Sequence, residues 1–167
     1  YEENSRHLLS TYEQVDKTFT MFVQHNWNAL SDWSNNLQYL DDAENMKTLW
    51  YEFARRKDAW QYQDFYMFNE NCDFITAAGR DGNAPNIQGI FLDMYATGQP
   101  VISSYIASDS NRRIVFALPM DVPYTINGIT YSGLAVSYNN DVVEKLIAGN
   151  IYQGQSDCYI LTSDGNV

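Results

Sequence analysis

The first glycine of this chain is Gly79 and its first proline is Pro85. Because these residue types interrupt regular structure most strongly, their absence from the N-terminal part favours long helices there. Apolar residues at four- and three-residue spacing predict one long amphipathic helix from about residue 3 to Ser34. The apolar stripe consists of Leu8, Tyr12, Val15, Phe19, Phe22, Ala29 and Trp33, and Asn26 interrupts it.

A second helix is predicted to run from Asp41, where "DDAE" offers a capping box, to Lys57. Its basic residues, Arg55, Arg56 and Lys57, occupy the last turn, where cations interact favourably with the helix dipole. Its apolar face carries Met46, Leu49, Trp50 and Phe53. The first third of the chain is therefore predicted to be helical.

The pattern changes to short strands from Asp64 onward. "DFYMF" and "DFIT" read as a hairpin through "NENC", and "GRDGNAP" is a predicted loop. Pro85 opens a helix that ends at Gly98 and Pro100 and carries Ile87, Ile90, Phe91 and Met94 on one face. Three further predicted strands are "VISSYIAS", "RRIVFALPMDV" and "GITYSGLAVSY", with the turn "DSN" between the first two, a loop containing "NG" before the third and the short helix "DVVEKLIAG" after it.

The predicted order is thus two helices followed by β-β-α-β-β-β. Most consecutive strands are close enough along the chain for antiparallel pairing. The sequence therefore predicts an α+β fold, in which a long N-terminal helix and a second helix pack on one mainly antiparallel sheet. "CYILTSDGNV" repeats the spacing of "CDFITAAG" and begins a further hairpin.

The net charge of −11 argues against nucleic acid as a partner, because phosphates require a basic surface. It also argues against docking on anionic lipid headgroups. No apolar run reaches the roughly 18 residues that a membrane helix needs. The chain begins at "YEENSRHLLS" without Met, so we expect flanking segments that include membrane helices, and contact with the membrane only through them.

Signatures of catalysis are missing from the sequence. It contains no phosphate-binding loop, no dinucleotide fingerprint and no serine-hydrolase elbow. His7 and His25 lie about 27 Å apart on one helix, too far to share a metal ion. Cys72 and Cys158 can pair only if their Cα atoms come within about 7 Å, which the sequence leaves open. We therefore predict no catalytic residue, no metal and no cofactor.

The predicted strands carry residues suited to binding a small polar ligand. Tyr66, Tyr105, Arg113 and Ser137 lie in or beside separate strands, and tyrosine hydroxyls with a guanidinium can orient such a ligand around an apolar cavity. Tyr95, in "DMYATGQ", and Asp109, in "SDSNRR", complete the predicted ligand-binding set. The structural alternative is that the tyrosines fill the core and Arg113 lies in solvent.

Three phrases give the chain a resemblance to the extracytoplasmic Cache domains, the PAS-like sensors of bacterial transmembrane receptors. "DFYMFNENCDFITAAGRDG" looks like the opening hairpin of that family. "RRIVFALPMDVPYTINGITYSGLAVSYNNDVVEKL" looks like its central pair of strands running into a helix. "CYILTSDGNV" looks like the opening hairpin of the second module in double Cache proteins.

The resemblance implies a helical segment at residues 1–60 and a PAS-like module at 61–150. Residues 151–167 would then be either the last strands or the start of a second module. It implies an extracellular sensor of a small molecule in a bacterial plasma-membrane protein, attached to a histidine kinase or diguanylate cyclase and dimerising through the N-terminal helix. The ligand stays open, because the amino-acid-binding branch has an Arg-x-Trp-Tyr-like segment where this chain reads "GNAPNIQGIF". That branch also has an Asp where Ser137 or Tyr138 falls here.

Two other classes of function remain as alternatives. A secreted module that binds protein or glycan would use the 13 tyrosines at its surface, and it predicts a filled core with no cavity. An acid–base hydrolase predicts two convergent carboxylates in a cleft, at least one of them with a strongly perturbed pKa.

Overall fold

The computed structural model describes residues 2–39 and 60–148, together with residues 47, 51 and 55–57. The elements are α1 (Glu2–Leu37), β1 (Asp64–Phe68), β2 (Asp73–Thr76), β3 (Asp81–Asn83), a 3-10 turn (Pro85–Ile87), α2 (Gln88–Thr97), β4 (Val101–Ile106), β5 (Arg112–Ile126), β6 (Ile129–Asn139) and α3 (Asn140–Ala148). Residues 26–139 form one compact unit, and α1 up to His25 belongs with α3 to another.

Several sequence predictions fall outside this description. Most of the second helix, predicted between Asp41 and Lys57, lies outside the described residues, as does the final hairpin from Cys158. The segment boundaries at residues 60 and 150 also adjoin residues that the structure does not describe. Within the described ranges, no helix combines the length and the apolar character required to cross a bilayer.

One six-stranded sheet, in the order β3-β2-β1-β6-β5-β4, forms the centre of the unit 26–139. Every neighbouring pair of strands is antiparallel. The predicted α+β class, with a long N-terminal helix and a mainly antiparallel sheet, is therefore confirmed. The pairing of β1 with β6 joins segments that are distant in sequence and brings the first hairpin beside the last strand.

The predicted loop "GRDGNAP" instead contains the edge strand β3, which pairs with β2. Gly79 makes this hairpin feasible, because it adopts a φ of +78° and its N–H donates to the Thr76 carbonyl. Asn83 then fastens the strand, since its side-chain amide donates to the carbonyl of Asn71 and to Asp73 Oδ1. These side-chain bonds compensate for the weak strand propensity of "DGN".

The loop predicted between the last two strands is a continuous hairpin. β5 extends to Ile126 and turns into β6 through Asn127 and Gly128, which have φ values of +52° and +80°. An Asn-Gly pair with two positive φ values is typical of the type I′ turn that joins hairpin strands. A register shift between Pro119 and Tyr124 accommodates the prolines, which cannot donate to the strand ladder.

Helix α2 covers one face of the sheet, which we call the α2 face. As predicted, the helix buries Ile87 at its preceding turn together with Phe91 and Met94, and Gly98 ends it in the left-handed conformation. The rings of Phe68 and Phe91 stack with their centroids 3.6 Å apart. The space between α2 and the sheet is therefore filled by side chains.

The last part of α1 packs on the opposite face of the sheet. Leu30, Trp33 and Leu37 are buried, and Trp27 meets Phe116 edge to face at 5.4 Å between ring centroids. Asn26 belongs to this buried surface rather than interrupting it, because it is almost fully buried and bonded to Tyr138.

Candidate ligand-binding site

An open cleft of about 750 Å³ lies on the α2 face, at the end of the sheet where β1 and β5 begin and β2 and β4 end. The β2–β3 hairpin forms one side and the turn between β4 and β5 forms the other. Its volume is typical of sites for small molecules. The core between α2 and the sheet is filled, as the secreted-module alternative predicted, and the cleft is open to solvent. A second void, between α1 and the sheet, holds about 10 Å³ and is lined mainly by apolar side chains.

The structure brings four of the six predicted ligand residues to this cleft: Tyr66, Tyr105, Asp109 and Arg113. Strand register explains why. Tyr105 pairs with Arg113, and Arg113 pairs in turn with Asn139, so the three residues form one row across β4, β5 and β6. Residues that are directly opposite in paired strands project from the same face. In the next row, Ser137 lies between Val115 and Asp64.

Arg113 is buried and holds two carboxylates. Its Nη2 lies 2.6 Å from Asp109 Oδ2, and its Nη1 lies 3.3 Å from Asp64 Oδ2. Asp64 also forms an ion pair with Arg80, whose Nη2 is 3.4 Å from the same oxygen. The Arg113 side chain is only 10% exposed, so it depends on these partners, because a buried charge without a counter-charge is costly. The alternative that places Arg113 in solvent is wrong.

The turn between β4 and β5 presents Asp109 to Arg113. The Ala107 N–H donates to the Asn111 carbonyl, the Ser110 N–H donates to the Ala107 carbonyl, and Ser110 has a φ of +64°. Asp109 Oδ1 accepts a 3.1 Å bond from the Asn111 N–H. Hydrogen bonds from Asn111, followed by the bond and charge of Arg113, lower the pKa of Asp109. An ionised, paired Asp109 is unsuited to act as the general acid that the hydrolase alternative needs.

Four polar atoms near this end of the sheet are buried and have no hydrogen-bond partner among the described residues. They are the Tyr66 hydroxyl, Arg113 Nε, Ser137 Oγ and Asn139 Oδ1. Burial raises the pKa of Tyr66 well above its ordinary value, and the nearby Tyr105 and Asp64 raise it further. Tyr105 is thus close to Tyr66, although the Tyr66 hydroxyl forms no properly oriented bond. Since buried polar groups are normally paired, such a cluster is typical of a site that a ligand completes.

The other two predicted residues lie outside the lining of the cleft. Tyr95 is on α2, where its hydroxyl donates to the Phe68 carbonyl at 3.3 Å and accepts from Ser132 Oγ at 2.9 Å. Burial raises its pKa to about 12. Ser137 has the α2-face orientation, but it is completely buried in β6.

Asp64, Arg80 and Asn139 belong to the polar end of the sheet and were not predicted from the sequence. Asp64 is 49 residues from Arg113, and only the order β1-β6-β5 brings them together. No local pattern signals such a contact. Cys72 is a buried free thiol with a pKa raised by burial, which does not indicate a reactive group.

No family model and no curated protein matches this sequence. Solved structures do match it. The ligand-binding domain of the Pseudomonas aeruginosa amino acid chemoreceptor PctC, in complex with GABA, is similar with a TM-score of 0.66 and 11% identity, over 88% of this chain and 69% of that chain. The sensory domain of the Campylobacter jejuni chemoreceptor Tlp3 with isoleucine bound gives a TM-score of 0.57 and 13% identity, over 87% and 65%.

The sensor domain of the V. cholerae histidine kinase DctB is also similar, with a TM-score of 0.56 and 13% identity over 89% of this chain and 59% of that chain. The chain therefore spans 59 to 69% of the length of these three structures. At such low identities the likeness concerns the fold. The fold is that of the Cache-type sensor domains of chemoreceptors and histidine kinases, as the sequence motifs indicated.

Proposed function

We propose that this chain is the extracellular ligand-sensing domain of a bacterial membrane receptor and that it binds a small polar molecule in the cleft. The observation that carries this proposal is that the buried Arg113, with its unpartnered Nε, and the unpartnered Tyr66 hydroxyl both belong to residues lining a cleft of small-molecule size. The similarity in fold to domains named as ligand-binding domains of chemoreceptors supports it.

The ligand that we propose offers both hydrogen-bond donors and acceptors. Among the residues that line the cleft, Arg113 and Tyr66 can donate to it, and the carboxylate of Asp64 can accept from it. The structures of PctC and Tlp3 contain GABA and isoleucine, so these two compounds are reasonable first members of a test panel.

Strand β6 offers a direct route from the cleft to α1. Ser137 and Asn139 have the orientation of the α2 face, whereas Tyr138 between them faces α1 and bonds to Asn26. We propose that ligand contacts at this end of the sheet favour one packing of β6 against α1. Such a shift requires a difference in ligand affinity between two packings.

We further propose that α1 continues toward a membrane helix in a longer receptor, and that the receptor controls a histidine kinase or a diguanylate cyclase. The similarity to the DctB sensor domain supports the kinase version. A homodimer formed through α1 is part of the same proposal. Multi-angle light scattering of the purified chain tests the dimer.

The binding proposal is tested by thermal shift with a panel of small polar metabolites that includes GABA and isoleucine, followed by calorimetry of any hit. Arg113→Ala and Tyr105→Ala should weaken the binding of a hit about ten- to a hundredfold, since a charged hydrogen bond contributes about 1.5–3 kcal/mol. The matched control is Arg112→Ala, because Arg112 is the neighbouring arginine on the opposite face of β5 and bonds to Ser104. A hit that tolerates both cleft variants would place its binding site elsewhere.

A further inference from the structure

One edge of the Arg113 guanidinium is only half occupied. In arginine, Nε and Nη2 form an edge that a planar carboxylate can engage through two parallel hydrogen bonds. Here Nη2 bonds to Asp109 Oδ2 at 2.6 Å, whereas Nε is buried without a partner among the described residues. Asp64 lies against Nη1, outside this edge. Asp109 therefore fills half of a site whose geometry suits a complete carboxylate.

Asp109 is also the partner that can leave with least cost. Its side chain is 45% exposed and lies on the turn 107–111, whereas the Arg113 side chain is 10% exposed. An ion pair at the surface contributes little to stability, so the release of Asp109 into water is inexpensive. Once Asp109 leaves, Arg113 retains Asp64 at 3.3 Å, but its buried charge loses the closer of its two counter-charges, which an incoming carboxylate would restore. The pair thus tolerates the exchange of one carboxylate for another, but not its loss.

We propose that Asp109 occupies the position of a ligand carboxylate, and that the carboxylate of a small molecule displaces it from Arg113. This inference rests on the proposed function and names the ligand class of the same cleft. The incoming carboxylate would bond to both Nε and Nη2, so it gains a charge-assisted hydrogen bond that Asp109 does not make. The exchange leaves the charge around Arg113 unchanged, since one carboxylate replaces another. No covalent bond changes.

The exchange releases the turn as well as the side chain. Asp109 Oδ1 accepts the Asn111 N–H, and the Asn111 carbonyl accepts the Ala107 N–H, so the hold on Arg113 and the shape of the turn are linked. Displacement of Asp109 should therefore loosen residues 107–111 while the cleft is occupied. A ligand usually slows hydrogen exchange of the backbone that it covers, so faster exchange of the turn on binding would be the opposite of the usual effect.

The competing arrangement is that Asp109 stays on Arg113 and itself receives a cationic group of the ligand. The two arrangements predict opposite results when the charge of Asp109 is removed. Displacement predicts tighter binding of carboxylates by Asp109→Asn, whereas direct contact predicts weaker binding of amines. Asparagine keeps Oδ1 for the Asn111 N–H, so this variant should preserve the turn.

The experiment titrates the whole chain with propionate, propionamide and propylamine, and it follows backbone amide shifts by NMR. We expect the wild-type chain to bind propionate in preference to the other two probes. Asp109→Asn should bind propionate up to about fivefold more tightly, which corresponds to the strength of a surface ion pair. Asp121→Asn is the control, because Asp121 is an exposed residue in β5 that does not line the cleft, and it removes the same charge. Hydrogen exchange at residues 107–111 should become faster with propionate.

Equal affinity of the wild-type chain and Asp109→Asn for propionate would overturn the inference, as would an equal gain in Asp121→Asn. Slower exchange at residues 107–111 with propionate would also overturn it. If propylamine or propionamide binds at the cleft while propionate does not, the inference fails and the proposed function stands. If none of the probes and no member of the metabolite panel binds to either chain, the proposed function fails with it.

Discussion

The Tyr138 hydroxyl donates a 2.8 Å hydrogen bond to Asn26 Oδ1, and both residues are almost fully buried. The bond joins the centre of the sheet to α1 inside an otherwise apolar contact. Its environment raises the pKa of Tyr138 far above the ordinary value, chiefly through burial. A buried polar pair of this kind can fix the register of a helix, because any sliding of α1 separates donor from acceptor.

Tyr138→Phe removes this bond and keeps the ring that packs edge to face on Phe116. We expect the free energy of unfolding to fall by about 1 kcal/mol, the net contribution of an ordinary hydrogen bond. Urea unfolding followed by circular dichroism measures the loss. Tyr39→Phe serves as the control, because Tyr39 is exposed and should show no change. Equal stability of Tyr138→Phe and the wild type would show that the bond does not stabilise the contact.

Gly133 lies opposite Phe68 in the pairing of β1 with β6, where a side chain has no room. A Cβ atom at this position would lie 2.5 to 2.9 Å from three ring carbons of Phe68, and stacking on Phe91 holds that ring in place. We expect Gly133→Ala to lower the free energy of unfolding by about 1–3 kcal/mol through overpacking. Gly89→Ala in α2 meets no atom within 4 Å and should be neutral or stabilising by up to about 1 kcal/mol. Thermal unfolding of both variants tests the contrast.

The parts of the fold that the sequence predicted correctly are specified by nearby residues. The absence of glycine and proline before Gly79 predicted α1, and Pro85 and Gly98 marked the helical segment that includes α2. The strand β3 was missed because "DGN" has poor strand propensity and depends on pairing with β2 and on the side chain of Asn83. Asn26 was misread because its partner Tyr138 is 112 residues away.

The candidate site shows the same division. Asp109 and Arg113 are four residues apart on one turn and strand, so sequence could bring them together. Asp64 and Asn139 reach Arg113 only through the order of the strands, which no single segment encodes. Tyr95 looked equally suitable, but the direction of α2 turns its hydroxyl toward Phe68 and Ser132. Orientation relative to distant elements decided which tyrosines face the cleft.

Alkaline conditions should destabilise the fold through its buried tyrosines. Burial raises the pKa of Tyr95 to about 12 and that of Tyr62 to about 12. Above the unfolded pKa of about 10, the unfolded chain loses these protons while the folded chain keeps them. The unfolded state then binds fewer protons, so the free energy of unfolding falls as the pH rises from about 10 to 12.

Tyr95→Phe should make this decline shallower, because one of the groups responsible is gone. Urea unfolding at several pH values between 10 and 12 gives the slope for each variant. Tyr39→Phe, which changes an exposed tyrosine, is the control for removing a phenol hydroxyl in general. A slope unaffected by Tyr95→Phe would mean that Tyr95 ionises as readily in the folded chain as in the unfolded one.

The unpartnered hydroxyls of Tyr66 and Ser137 should contribute nothing to the free energy of unfolding of the ligand-free fold. Each is desolvated in the ligand-free fold without a hydrogen bond among the described residues to compensate. Tyr66→Phe and Ser137→Ala should therefore leave the free energy of unfolding unchanged or raise it by up to about 1 kcal/mol. Ser132→Ala, which removes the bond from Ser132 Oγ to Tyr95, should lower it instead.

The affinity for a ligand should fall where the free energy of unfolding does not. Tyr66 lines the cleft, so a ligand that completes its hydroxyl loses a hydrogen bond in Tyr66→Phe, and calorimetry with a hit from the metabolite panel should show weaker binding by Tyr66→Phe than by Ser137→Ala or Ser132→Ala. Sites that retain unsatisfied groups for a ligand commonly give up stability to do so. If Tyr66→Phe is destabilised like Ser132→Ala and binds the hit normally, the Tyr66 hydroxyl serves the fold rather than the ligand.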